Sequence, residues 1–142
     1  MLRLQSAPVY ILIVTLTCNL LYRCLAADVV SYEELRKMVA NGNIRLYDVR
    51  EPEEVMLGKI PTSINIPLNQ LKTSLLMDDE IFKKKYKSNK PQKWDTKIVF
   101  YCRSGKRSAT ALKTAKILDY LHARHYEGGY MEWEDCESAR SH

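Results

Sequence analysis

The sequence predicts an α/β fold, a small parallel sheet of about five strands with helices on both faces. Three observations carry this prediction. Short apolar runs alternate with helical patterns from Asp28 onward. One run, Lys97-Ile98-Val99-Phe100-Tyr101, is rich in the β-branched and aromatic residues of a buried strand. The polar stretch after it, Cys102-Arg103-Ser104-Gly105-Lys106-Arg107-Ser108, leads straight into a helical pattern. A cysteine turn thus joins the carboxyl end of a strand to a helix N-terminus, the place where open α/β sheets bind ligands.

The remaining elements follow in order. Asp28-Val29-Val30 reads as a short strand, and Ser31-Tyr32-Glu33-Glu34 as a capping box that starts a helix. Leu35, Met38 and Val39 supply its apolar face, and Asn41-Gly42-Asn43 ends it. Ile44 to Arg50 forms the next strand. Pro52 opens a short helix, Glu53 to Leu57, because its fixed φ suits the first turn; Gly58 stops it. A short strand lies between Pro61 and Pro67, and helices cover Asn69 to Met77 and Asp79 to Tyr86. Trp94 is expected to pack under the following loop. The helix after the cysteine turn, patterned from Ser108, is expected to reach Leu121. His125-Tyr126 is the last strand, and a small helix spans about Met131 to Cys136.

The 142 residues suit one domain, at 28–138, after a segment at 1–27 and before a short tail at 139–142. A 46% hydrophobic, 27% charged composition is that of a globular protein. The net charge of +5 suits small anions as well as larger acidic partners. No basic run interleaved with aromatics argues for nucleic acid. Residues 1–27 carry no acid, and combine Arg3, a short apolar core and a small-residue end. That describes a secretory signal peptide; the lack of acid also suits a mitochondrial presequence, and an uncleaved anchor is the third reading. Membrane contact is expected through this segment only. Lys83 to Lys93 holds six lysines of a solvated helix end and loop, or a docking patch for an acidic partner.

The cysteine turn carries the chemistry. A helix N-terminus offers unpaired N–H groups and a positive dipole end to an anion. A cysteine placed there has a lowered pKa and reacts as thiolate. Backbone N–H groups from Arg103 to Ser108, including Ser104, can cradle a charged sulfur. Gly105 lets the turn close around a small guest. Arg103 and Arg107 offer planar forks to oxyanion oxygens, and Lys106 adds charge while pointing to solvent. No histidine base is required. Asp48 and Arg50, at a neighbouring strand end, either border the pocket or form an internal ion pair. Cys136 is either a resolving thiol for Cys102 or a small buried helix residue. His122 and His125 have no third ligand spaced to join them, and no metal or cofactor is implied.

These residues resemble the rhodanese homology domain. Asp48-Val49-Arg50-Glu51-Pro52-Glu53-Glu54 is similar to that family's D-V-R-E segment, and Gly58 to Leu68 to its G-H-I-P-G-A-x-N-I-P segment. Tyr101 to Ser108 is similar to its C-R-x-G-x-R-S loop, and Gly128 to Trp133 to its closing G-G-x-x-x-W. Lys59 stands where the family usually has histidine, and Thr62 where it usually has glycine. The resemblance implies a single-domain sulfurtransferase acting through a persulfide on Cys102. Thiosulfate or glutathione persulfide would be the donor, and cyanide or a thiol the acceptor, with the protein a monomer. A rhodanese-like binding module or persulfide carrier is the competing class. Cysteine phosphatases place five residues between cysteine and arginine; here four separate Cys102 from Arg107, a turn sized for one sulfur rather than a phosphate.

Overall fold

The computed structural model describes residues 7–141. Arg3 of the leader lies outside them, as do the side chains of Arg23 and Cys24. Ala7–Ala27 forms a helix, α1, whose apolar side chains Val9, Ile11, Leu12, Leu16 and Leu20 are exposed. Among the described residues no helix is long and apolar enough to cross a membrane.

Five parallel strands form one sheet: β1 (Val29–Val30), β2 (Arg45–Asp48), β3 (Ile64–Asn65), β4 (Ile98–Tyr101) and β5 (Arg124–Tyr126). Their spatial order is β1-β5-β4-β2-β3, so β4, with the cysteine at its carboxyl end, is central. The helices are α2 (Tyr32–Ala40), α3 (Pro52–Met56), α4 (Leu68–Leu76), α5 (Asp79–Tyr86), α6 (Lys106–Ile117) and α7 (Gly129–Arg140). All four residues of β4 are buried, as a strand covered on both faces requires. Phe100 joins a core with Tyr47, Leu71, Phe82 and Leu112 on one face. Val99 and Tyr101 join Leu35, Tyr126 and Trp133 on the other. This is the fold class the alternation predicts.

Several boundaries moved for local reasons. Glu34 N–H donates to Ser31 Oγ at 3.2 Å, the serine arm of the expected cap of α2. β2 ends at Asp48, because that carboxylate accepts from the Arg50 N–H and turns the chain out of the ladder. β3 shrinks to two residues behind Thr62, whose φ is 68°. α6 starts two residues earlier than its apolar pattern and stops at Ile117 rather than reaching Leu121, because Asp119 sits in the left-handed region at φ 67°. α7 is twice the expected length, and its first N–H groups are anchored in the cysteine turn. Trp94 does not pack under its loop; it is 72% exposed. Pro91 and Tyr120 are the buried residues here, the Tyr120 hydroxyl donating to the Pro91 carbonyl at 3.3 Å.

Candidate active site

Cys102 follows β4 directly and is 1% exposed. Its Sγ accepts hydrogen bonds from the N–H of Gly105 at 3.1 Å and of Ser108 at 3.4 Å. The Ser108 hydroxyl lies 3.7 Å from the same sulfur. Burial pushes the Cys102 thiol up, but the backbone and side-chain hydrogen bonds of Ser108, with those of the Ser104 and Gly105 N–H groups, outweigh it and hold the thiol below its ordinary value. Cys136, half-buried on α7, has the opposite setting: burial and the carboxylates of Glu132, Asp135, Glu33 and Glu137 push its thiol up. It is not the fully buried cysteine of the second reading, and both thiols are free.

Two glycines make the turn possible. Gly105 holds φ 92°, and a Cβ there would stand 2.4 Å from the Glu127 carbonyl oxygen. Gly129, at φ 66°, lies so close beneath the loop that a Cβ would stand 2.3 Å from the Arg103 carbonyl oxygen. This approach lets the N–H groups of Tyr130 and Met131 donate to the Cys102 and Arg103 carbonyls at 2.8 and 3.2 Å. The start of α7 thereby fixes the loop from below.

The loop cations divide three ways. Lys106 is exposed, and Arg103 is exposed beside a cleft of about 250 Å³ that it lines with Arg50, Glu54, Leu57, Tyr130 and Glu134. Arg107 is engaged elsewhere: its guanidinium donates in a fork to both oxygens of Glu54, at 2.6 and 2.8 Å. The fork expected to face a bound oxyanion instead ties α6 to α3, leaving Arg103 as the open guanidinium of the turn. Glu54 also accepts from the Glu51 N–H at 3.0 Å and so caps α3. Its role was not legible in the sequence, although it lies inside a matched motif.

Asp48 and Arg50 form a buried ion pair at 2.6 Å. Arg50 also donates to the Gly58 carbonyl at 2.8 Å and stacks 4.5 Å from the centre of the Tyr130 ring. Arg50 lines the cleft while paired, and Asp48, fully buried, is its partner. Asn65 closes this corner by donating to the Asp48 and Arg50 carbonyls at 3.0 and 2.9 Å.

A parallel α/β sheet whose central strand ends in a cysteine sulfur that accepts N–H groups from a helix N-terminus has the layout in which a cysteine can serve as a nucleophile. The family follows from comparison. The rhodanese-like domain model matches residues 31–136, and the chain belongs to that family. It is 43% identical over 112 residues to the human thiosulfate:glutathione sulfurtransferase, covering 79% of this chain and 97% of the relative. The solved structure of the human single domain sulfurtransferase TSTD1 superposes with a TM-score of 0.74 at 42% identity, over 76% of this chain and 96% of that one. The single domain sulfurtransferase RDL2 of Saccharomyces cerevisiae gives 0.70 at 33% identity, over 79% and 92%. The protein is a sulfurtransferase of the rhodanese type.

Proposed function

We propose that the chain transfers sulfane sulfur from thiosulfate, or from a small persulfide such as that of glutathione, to a thiol or cyanide by way of a persulfide on Cys102. The observation that carries this reading is the sulfur of Cys102, accepting two backbone N–H groups at the mouth of α6. Such donors stabilise negative charge on the thiolate and on the persulfide that replaces it. The thiolate attacks the outer sulfur of thiosulfate; a new S–S bond forms, the old one breaks, and sulfite leaves with its electron pair. The acceptor thiolate then attacks the outer sulfur of the persulfide and returns Cys102 to its thiolate. Arg103 draws the anionic donor to the cleft. The names of the relatives support thiosulfate as donor and glutathione as acceptor.

Cys102→Ser is expected to abolish thiocyanate formation from thiosulfate and cyanide while circular dichroism stays unchanged. Wild-type protein incubated with thiosulfate gains the mass of one sulfur atom on Cys102. Undiminished turnover in the variant would overturn the reading. Residues 1–27 serve as a targeting leader. A relative from budding yeast is named mitochondrial, which supports the mitochondrial rather than the secretory destination. N-terminal sequencing of protein from fractionated cells tests both the cleavage and the compartment.

A further inference from the structure

His125 has no part in the chemistry above. It is 8% exposed on β5, in register with Val29 of β1 and Phe100 of β4. Its Nδ1 lies 3.1 Å from Ser108 Oγ. That same hydroxyl lies 3.7 Å from Cys102 Sγ and donates to the Gly105 carbonyl at 3.0 Å. One hydroxyl proton therefore has three neighbours. The carbonyl oxygen and the thiolate can only accept it, whereas the imidazole nitrogen accepts or donates according to its tautomer. A bare Nδ1 competes with the sulfur for the proton. A protonated Nδ1 fills an oxygen lone pair and leaves the proton to the carbonyl and the sulfur.

We propose that His125 is a positioning residue for sulfur transfer: its Nδ1–H donates to Ser108 Oγ, so the ring never competes for the serine proton, which stays available to the Gly105 carbonyl and to the Cys102 thiolate. The surroundings of the ring fit this tautomer. The charged groups around it are Glu127, after β5; Asp28, before β1 and ion-paired at 2.6 Å with Lys116 of α6; and Lys113 of α6. Burial draws the ring below its ordinary value while Glu127 and Asp28 raise it, and the net direction is downward, toward the neutral ring. The ring lines a cleft of about 300 Å³ bordered by Lys113 and Lys116. The Ser108 hydroxyl donates its one proton to the Gly105 carbonyl, so it meets Nδ1 as an acceptor, which places the ring proton on Nδ1. The histidine acts as a neutral donor through serine and not as a base.

The inference rests on Cys102 as the sulfur carrier. Alkylation of that thiol can be followed whether or not sulfur is transferred, so the two readings fail separately. In the full chain, the pH midpoint of Cys102 alkylation by iodoacetamide is measured for His125→Leu, His125→Asn, Ser108→Ala and the Ser108→Ala/His125→Leu double variant. The leucine variant is expected to move the midpoint up by less than Ser108→Ala does, because it withdraws a polarising donor from the serine hydroxyl but leaves that hydroxyl beside the sulfur. The asparagine variant, with an amide donor near the place of Nδ1, keeps the wild-type midpoint. The double variant matches Ser108→Ala alone. A wild-type midpoint in His125→Leu, an asparagine variant as displaced as the leucine one, or a leucine effect that persists without the serine hydroxyl would each overturn the proposal. Nitrogen NMR of the ¹⁵N-histidine wild-type protein decides it without any variant: a proton on Nδ1 of His125 supports it, and a bare Nδ1 overturns it.

Discussion

Glu54→Gln tests the contact that ties the cysteine loop to α3. Glutamine keeps the shape but only one acceptor oxygen, so the fork from Arg107 loses its ionic partner and one of its two hydrogen bonds. The Arg107 hydrogen bonds are the main cause that holds the Glu54 carboxyl at about 2, against an ordinary 4.5. At about 1.36 kcal/mol per pH unit, that depression corresponds to roughly 3 kcal/mol for all its causes together, before solvent screening. The Arg107 and Glu54 side chains are 34% and 30% exposed, so solvent screening brings the working figure to about 1 kcal/mol. The sign follows from the direction of the shift. A folded-state value below the unfolded one means the stabilisation is fully present above pH 4.5 and is lost as the pH falls toward 2. Urea unfolding of the two proteins should therefore differ by about 1 kcal/mol at pH 7 and by less than half of that at pH 3. Equal stabilities at pH 7 would refute the reasoning, and so would a gap that stays the same at pH 3.

Four further outcomes follow from the same geometry. Asp48→Ala leaves the Arg50 guanidinium buried without its counter-charge and should cost about 3–5 kcal/mol in urea unfolding; wild-type stability would show that the cleft-side contacts of Arg50 suffice. Thr62→Gly relieves a β-branched residue at φ 68° and should raise stability by roughly 0.5–1 kcal/mol after the added chain entropy of glycine, measured as a rise in Tm. Gly105→Ala drives a Cβ to within 2.4 Å of the Glu127 carbonyl, so persulfide formation on Cys102, read by mass spectrometry, should be lost; full loading would refute the turn's tightness. Alkylation should titrate at a lower pH on Cys102 than on Cys136, because hydrogen bonds favour the first thiolate and carboxylates oppose the second.

What the sequence by itself determined is local in origin. The serine cap of α2, the proline start of α3 and the alternation of strand and helix are read from neighbouring residues, and the structure places them with small shifts. The order strand, cysteine, glycine turn, helix sets the sulfur beside unpaired helix-end N–H groups, and those of Gly105 and Ser108 donate to it.

The partners of those residues were decided only by the tertiary structure. Arg107 reads as an oxyanion fork in the sequence, yet it meets Glu54, 53 positions away, because β2 lies beside β4 and brings α3 up to the start of α6. Ser108 reads as one more residue of the cradle, yet β5 on the other flank of β4 sets His125 against its hydroxyl. Trp94 is expected under its loop, yet it is 72% exposed, while Tyr120 is buried with its hydroxyl on the Pro91 carbonyl. No local period encodes which strands become neighbours. The sheet order β1-β5-β4-β2-β3 does, and it converts a cysteine turn into a site with Glu54 on one side and His125 on the other.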